Sequence, residues 1–70
     1  SSSVQVRAFN NKIHITNIKS RTKVEVYSIT GALVRSFETN NDTDFDFNNG
    51  LWIVKVKDSD GQKIIKLIGH

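Results

Sequence analysis

The stretch VEVYSITGALVRSF, residues 24–37, contains the pattern that decides the fold. Apolar and polar residues alternate on both sides of Thr30-Gly31, and a period of two is typical of strands that bury one face. Gly31 can adopt a left-handed backbone conformation at little steric cost, which suits the turn between two paired strands. The stretch therefore predicts a β-hairpin.

The period of two continues along the rest of the chain. Tight turns are indicated by Asn10-Asn11, by the Asn-Gly pair in Asn48-Asn49-Gly50 and by Asp58-Ser59-Asp60-Gly61. No window has the 3.6-residue period of a helix, and short strands separated by turns are typical of an antiparallel sandwich. We predict seven strands, at about residues 3–9, 12–16, 23–29, 33–38, 43–47, 51–57 and 62–68. The last two runs are the most apolar, so we expect them at the centre of a sheet.

Length and charge exclude several classes of protein. Seventy residues suffice for one domain, and no cysteine is present to add a disulfide or a zinc-thiolate site. The 10 basic and 7 acidic residues are spread along the chain, whereas a nucleic-acid domain gathers its basic residues on one face. No apolar run approaches the ~20 residues that span a bilayer. We expect no nucleic-acid partner and no transmembrane segment.

The chain opens with Ser1-Ser2-Ser3 and has no initiator methionine. We interpret residues 1–3 as linker and residues 4–70 as a single domain cut from a longer protein. A domain of this size buries only about 60% of the surface of its unfolded chain, so we expect its stability to be thin.

The titratable residues do not suggest catalysis. His14 and His70 are the only histidines, no cysteine nucleophile exists, and no Gly-x-Ser-x-Gly motif occurs. A domain this small has little room for a dry pocket of roughly 300 Å³ or more. His14 alternates with Ile13 and Ile15 and is predicted to face the outer side of a sheet. We expect no enzymatic activity and no cofactor.

Two acidic groups raise the question of a metal site. Asp42, Asp44 and Asp46 share one strand face, but Ca²⁺ needs six to eight oxygens converging from a curved loop. The stretch 58–61 begins like an EF-hand loop, yet the later ligands are missing. We favour a solvated strand face for the first group and a plain hairpin turn for the second.

The aromatic residues fit either a core or a binding platform. Their alternation with polar residues indicates that most of them, including Phe9, Phe37, Phe45 and Phe47, fill the core. The same alternation puts Trp52 on the face of Val54 and Val56, and it predicts that Tyr27 is partly exposed. A platform that stacks sugars or bases is the alternative.

Three stretches in order resemble one family. VEVYSITGALVRSF is followed by NNGLWIVKVK at residues 48–57 and by DGQKIIKLIGH at residues 60–70, and NNKIHITN at residues 10–17 is similar to the family's early strand. The chain resembles, over roughly residues 4–68, the type IX secretion system C-terminal sorting domain in its type A form. The resemblance implies a seven-stranded, antiparallel, Ig-like β-sandwich.

The resemblance also implies a role as a sorting signal. Domains of this family direct a cargo protein from the periplasm through an outer-membrane translocon, and a sortase-like peptidase usually then removes the domain and attaches the cargo to the cell surface. Cleavage would fall before or near residues 1–4. The residues implied in recognition are Gly50, Leu51, Trp52, Val54, Lys55, Val56, Lys63, Lys66, Leu67 and Ile68, and those implied in a shared scaffold are Tyr27, Gly31, Leu33 and Val34.

A sheet edge is where such a domain could be recognised. The last strand can receive a partner strand through backbone hydrogen bonds, and Lys55, Lys57, Lys63 and Lys66 are expected to form a basic stripe beside it. Edge protection and solubility explain the same lysines equally well. An Ig-like carbohydrate-binding or adhesion module, which needs a row of exposed aromatics, and a purely structural spacer domain are the competing hypotheses.

Overall fold

The computed structural model describes residues 3–48 and 50–69, and its regular elements are all strands. Each predicted strand is confirmed, with ends within two residues of the prediction. The strands are β1 Gln5–Phe9, β2 Lys12–Thr16, β3 Thr22–Ser28, β4 Leu33–Thr39, β5 Thr43–Asp46, β6 Gly50–Asp58 and β7 Gly61–Gly69.

The strands form two antiparallel sheets. The three-stranded sheet has the order β1-β2-β5, and the four-stranded sheet has the order β4-β3-β6-β7. The central position of β6 is confirmed, but the central position expected for β7 is wrong, because β7 is an edge strand. Its apolar residues fall on both faces of the sheet and alternate with lysines, so high apolar content did not mean central placement.

The core lies between the two sheets and follows from the alternation of each strand. Inward-facing residues of β2, β3, β5 and β6 are buried, while their neighbours in sequence point to solvent. The buried apolar side chains are Val4, Ile13, Ile15, Val24, Val26, Phe45, Val54 and Val56. Thr22 is buried too, and its hydroxyl donates a hydrogen bond of 3.0 Å to the Ser20 carbonyl.

Three of the predicted turns have the expected chemistry. Asn10 and Asn11 both have positive φ, at 54° and 60°, and join β1 to β2 as a two-residue hairpin. Gly31 has φ 91° and its N–H donates to the Ser28 carbonyl at 2.9 Å. The Asp60 N–H donates to the Asp58 carboxylate at 2.9 Å, closing the β6–β7 hairpin.

The hairpin expected at residues 48–50 is wrong, because β5 and β6 belong to different sheets. This connection crosses from one sheet to the other, with Asn49 outside the described residues. Gly50 is needed here for two reasons. Its φ is 145°, and a Cβ atom would lie 3.2 Å from the Trp52 indole nitrogen. Gly50 therefore marks a close approach of the backbone to Trp52 and not a hairpin turn.

Candidate functional site

The solvent-facing side of the four-stranded sheet has an apolar area at one end, which we call the outer patch. The residues on this side alternate along β3 and β6 with the buried valines, so the register fixes which side chains share the face. Ile64, Ile68 and Leu33 are 61%, 65% and 52% exposed. The other three members are partly buried by their neighbours. The outer patch consists of Tyr27, Leu33, Leu51, Ile53, Ile64 and Ile68.

Cross-strand pairing makes the outer patch continuous. Leu33 pairs with Tyr27, Tyr27 pairs with Ile53, and Leu51 pairs with Ile68. Ile53 is the diagonal neighbour of Ile64 and of Ile68, a separation that long side chains can bridge. Monomeric proteins rarely expose large contiguous apolar areas without a binding role. The outer patch is therefore the main candidate for an interaction surface in the described part of the chain.

Lysines border the outer patch on the same face. Lys66 is opposite Ile53, Lys55 is opposite Ile64, and Lys23 and Lys57 pair with each other farther along the sheet. The carboxylates of Glu25 and Glu38 share this face, and Glu38 accepts a hydrogen bond from the Arg21 guanidinium. Within residues 3–48 and 50–69, no ion pair involves any of these four lysines. Lys66 thus lies within the apolar end of the face, between Ile64 and Ile68, whereas the other end carries Lys23, Lys55 and Lys57 together with Glu25 and Glu38.

Tyr27 links the apolar and charged parts of this face. Partial burial raises the pKa of its phenol above the ordinary value of 10.0, and the Glu25 carboxylate raises it further through its charge and as a hydrogen-bond acceptor. The phenol is therefore a neutral donor at physiological pH. Its partial exposure, expected from the alternation of β3, is confirmed.

The residues implied in recognition divide between the two faces of the sheet. Val54 and Val56 are fully buried, and Trp52 and Leu67 pack against the same core. The side chains of Val54 and Val56 are therefore out of reach of a partner while the domain is folded, whereas those of Trp52 and Leu67 are only partly buried. Four others point outward, namely Leu51, Lys55, Lys66 and Ile68. Gly50 pairs with Gly69 at the end of β6.

Lys63 does not join the expected basic stripe, because it shares the inner face with its partner Val56. Its ammonium group donates a hydrogen bond of 3.1 Å to the Val4 carbonyl. Lys66, three residues later, points to the opposite face. The stripe is instead completed by Lys23, which sequence reasoning missed because the pairing of β3 with β6 is not visible in the sequence.

The residues of the shared scaffold surround the β3–β4 turn. Tyr27 and Leu33 are paired, and a register shift after Val26 leaves Val34 as an extra residue in β4. Gly31 makes the turn and has open space around it. Tyr27 and Leu33 also belong to the outer patch, so the scaffold stretch contributes to the surface as well as to folding.

The aromatic residues mainly form a chain of edge-to-face contacts between the sheets. Phe37 contacts Phe45 at 5.3 Å between ring centroids, Phe45 contacts Phe47 at 5.9 Å, and Phe47 contacts Trp52 at 4.4 Å. The Trp52 indole N–H donates to the Asn48 carbonyl at 3.1 Å. The packing prediction is thus confirmed for these four residues, whose contacts do not form a row of exposed rings.

Phe9 is the exception, and the core position predicted for it is wrong. It is 46% exposed on the solvent face of the three-stranded sheet and stacks on His14 at 4.0 Å. Val4, Val6 and Ala8 face the core or its margin, so Phe9 must point outward. The alternation of Phe9 with these residues in the sequence already indicated that it points outward.

An open groove of about 690 Å³ lies between β4 and the end of β5. The Arg35 guanidinium borders it, 4.7 Å from the ring centre of Phe45. The groove lining offers no serine, cysteine or histidine that could act as a nucleophile or base. The lining residues are Asn11, Val34, Arg35, Asp46, Phe47, Asn48 and Trp52.

The solvent face of the three-stranded sheet is polar and paired. The Lys12 ammonium lies 3.6 Å from the carboxylates of both Asp44 and Asp46, and the His14 Nδ1 lies 3.9 Å from Asp44. Asp42 accepts a hydrogen bond of 2.9 Å from the Ile18 N–H. The three aspartates are thus engaged by the protein itself. In the described residues, no group of three potential ligands is placed to hold a metal ion.

No helix among the described residues is long and apolar enough to cross a membrane. Comparisons with curated proteins and with solved structures found no match. A family model described as the secretion system C-terminal sorting domain matches residues 8–69, which is nearly the whole chain. Proteins that carry this domain pass the outer membrane to the cell surface or beyond. The chain therefore belongs to the family of type IX secretion system C-terminal sorting domains.

Proposed function

We propose that this domain directs a larger cargo protein from the periplasm through the type IX outer-membrane translocon. A sortase-like peptidase then removes the domain near its first residues, and the cargo is attached to the surface or released. The domain is a substrate of this machinery and performs no catalysis. The observation that carries the proposal is the family match over residues 8–69.

The positions of the family-like stretches support this proposal. The stretch 24–37 covers most of β3 and most of β4. The stretch 48–57 covers most of β6, and the stretch 60–70 contains β7. These four strands constitute the whole four-stranded sheet. Three of the four family-like stretches thus form the sheet that carries the outer patch, and the fourth, residues 10–17, contains β2 of the other sheet.

The strand order supports an Ig-like assignment of the fold. In constant-type Ig domains, strands 1, 2, 5 and 4 form one sheet and strands 3, 6 and 7 form the other. Here the strand groups β1-β2-β5 and β3-β6-β7 are the same, while β4 lies beside β3 in the second sheet. We infer an Ig-like sandwich in which the fourth strand has changed sheets.

Recognition through β7 fits its place at the sheet edge. Among the described residues β7 pairs only with β6, so alternate backbone groups on its other side are available to a partner strand. The Lys63 contact with Val4 holds the beginning of this strand against the chain segment before β1. Of the residues implied in recognition, we propose Leu51, Lys55, Lys66 and Ile68 as those whose side chains a partner contacts.

The test is a transplant of the whole domain. Residues 1–70 are fused to the C-terminus of a periplasmic reporter and expressed in a bacterium with a working type IX system. We expect the reporter on the cell surface or in the medium. In a strain that lacks the translocon, we expect it to stay in the periplasm. The reporter without the domain is the control. Periplasmic retention of a fusion whose domain is folded and intact would contradict the proposal.

No observation favours the carbohydrate-binding alternative, since Trp52 packs against Phe47 and its N–H is used within the protein. Glycan binding by the isolated domain that is lost on Trp52→Ala, with the fold preserved, would favour it over a sorting role.

A further inference from the structure

We propose that the outer patch docks a protein whose contact surface presents apolar side chains bordered by aspartate and glutamate carboxylates. The inference rests on the proposed function in one respect, since the partner is taken to belong to the export machinery. It goes beyond strand addition at β7, because the contact uses side chains on the open face of the sheet.

The apolar side chains of the outer patch are exposed without a structural reason. Ile64 and Ile68 are 61% and 65% exposed, although Leu67 on the same strand already packs against the core. Leu33 is 52% exposed in the same way. These side chains therefore leave apolar surface in water in the isolated domain, and a partner that covers them recovers the free energy of that burial.

The lysines on this face identify the chemistry of the partner. Lys66 lies between Ile64 and Ile68, Lys55 is opposite Ile64, and Lys23 and Lys57 lie farther along the sheet. Glu25 and Glu38 are the cross-strand neighbours of Lys55 and Lys23 but form no ion pair with them. In the described residues none of the four lysines has an ion-pair partner, whereas Lys12 on the other sheet has two. Carboxylates facing these lysines would be attracted and would fix the orientation of the contact.

Two other occupants fit the face less well. A second copy that covered the outer patch with its own outer patch would bring the lysines of both copies together, with only Glu25 and Glu38 to offset them, and Glu38 is already bonded to Arg21. An anionic lipid surface would suit the lysines but would repel both glutamates on the same flat face. A protein can place its carboxylates beside the lysines and leave the glutamates free.

The first experiment uses the reporter fusion with paired variants. Ile64→Ser combined with Ile68→Ser removes two apolar contacts, and Phe9→Ser removes an exposed apolar side chain from the opposite face. We expect the first variant to lower export about tenfold, as expected when contact residues of an interface are lost. The control variant should be exported like the wild type. Urea unfolding followed by Trp52 fluorescence verifies that both variants fold.

Charge is tested with Lys66→Glu against Arg7→Glu, which makes the same change on the opposite face. Lower export of the Lys66→Glu variant, with normal export of the Arg7→Glu variant, supports the proposal. Equal export of wild type, patch variants and controls overturns it while leaving the proposed function intact. Failure of the wild-type fusion itself to be exported counts against the proposed function.

Photo-crosslinking decides the patch independently of export. A benzoyl-phenylalanine at position 64 is activated in cells, and the product is identified by mass spectrometry. A crosslink to an outer-membrane protein, at a peptide in which acidic residues adjoin apolar ones, supports the proposal. Crosslinks only to lipid, to a second copy, to the attached cargo, or to nothing overturn it.

Discussion

The two solvent-exposed faces of this molecule are built from the same alternating pattern but end in different chemistry. On the three-stranded sheet, Lys12 lies within 3.6 Å of two aspartates, and the exposed ring of Phe9 is covered on one side by His14. On the four-stranded sheet, lysines have no ion-pair partner among the described residues, and three aliphatic side chains are more than half exposed. On the first face, Lys12 and its two aspartates are paired within the protein, although the buried Nε2 of His14 has no hydrogen-bond partner among the described residues. On the second face, the lysines and the exposed aliphatic side chains are available to a partner.

The largest effect should separate the core from the outer patch. Ile15 is fully buried, so Ile15→Ala should lower the free energy of unfolding by about 2–5 kcal/mol through lost burial and a cavity. Ile64→Ala should change it by less than about 0.5 kcal/mol, because Ile64 is 61% exposed. Urea unfolding followed by the fluorescence of the single tryptophan measures both. Similar losses for the two variants would mean that the outer patch stabilises the isolated domain and is not reserved for a partner.

The next effect tests what orients β6, whose alternate residues form the core and the outer patch. Gly50→Ala should lower the free energy of unfolding by about 2–3 kcal/mol, because a Cβ at φ 145° is strained and meets the Trp52 indole at 3.2 Å. Gly31→Ala should cost only about 1–2 kcal/mol, since its φ of 91° is unfavourable but the space around it is open. Thermal unfolding gives both values. A larger loss at Gly31 would show that the contact with Trp52 does not matter.

A smaller effect compares lysines on the two faces. Lys12→Ala removes two partly exposed ion pairs, so it should lower the free energy of unfolding by less than about 1 kcal/mol. High salt should reduce that loss, because it screens the pairs. Lys55→Ala should lower the free energy of unfolding less than Lys12→Ala, because the cross-strand neighbour of Lys55, Glu25, forms no ion pair with it. If Lys55→Ala were as destabilising as Lys12→Ala, Lys55 would have an electrostatic partner within the domain.

The smallest effect is a titration on the four-stranded face. The chain has a single tyrosine, so phenolate absorbance reports Tyr27 alone, and its midpoint should lie above pH 10.0. Glu25→Gln should lower the midpoint, and Glu38→Gln should not. Because folding favours the neutral phenol, its contribution to stability is complete below pH 10 and is lost as the pH rises through the raised pKa. A midpoint at or below 10.0 would show that Tyr27 is neither partly buried nor coupled to Glu25.

The strands could be read from the sequence because their information is local. Alternation in residues 12–16 and 24–28 fixes which side chains face inward, and the φ angles of Asn10, Asn11 and Gly31 follow from residue types that tolerate them. The family-like stretches could be read for the same reason. Phe9 shows that an error arises when residue type is allowed to override alternation.

The candidate site was only half visible, since a surface joins residues from strands that are distant in sequence. The stretches 48–57 and 60–70 pointed to the correct strands, but they mixed the buried Val54 and Val56 with the exposed Ile68. Ile53 and Ile64 were passed over because nothing local says that an apolar side chain lies on the solvent face. Adjacent apolar pairs such as Ile64-Ile65 were the one indication, since both cannot enter the core.

The sequence by itself determined an all-β domain with seven strands, most of the core and membership of a family, because each depends on periodicity or on a contiguous motif. Only the tertiary structure decided that residues 48–50 cross between sheets, that β7 is an edge and that Lys63 and Lys66 separate. It also brought Tyr27, Leu33 and Ile68 onto one face. Strand pairing depends on the packing of two sheets around a common core, which no local stretch of the chain encodes.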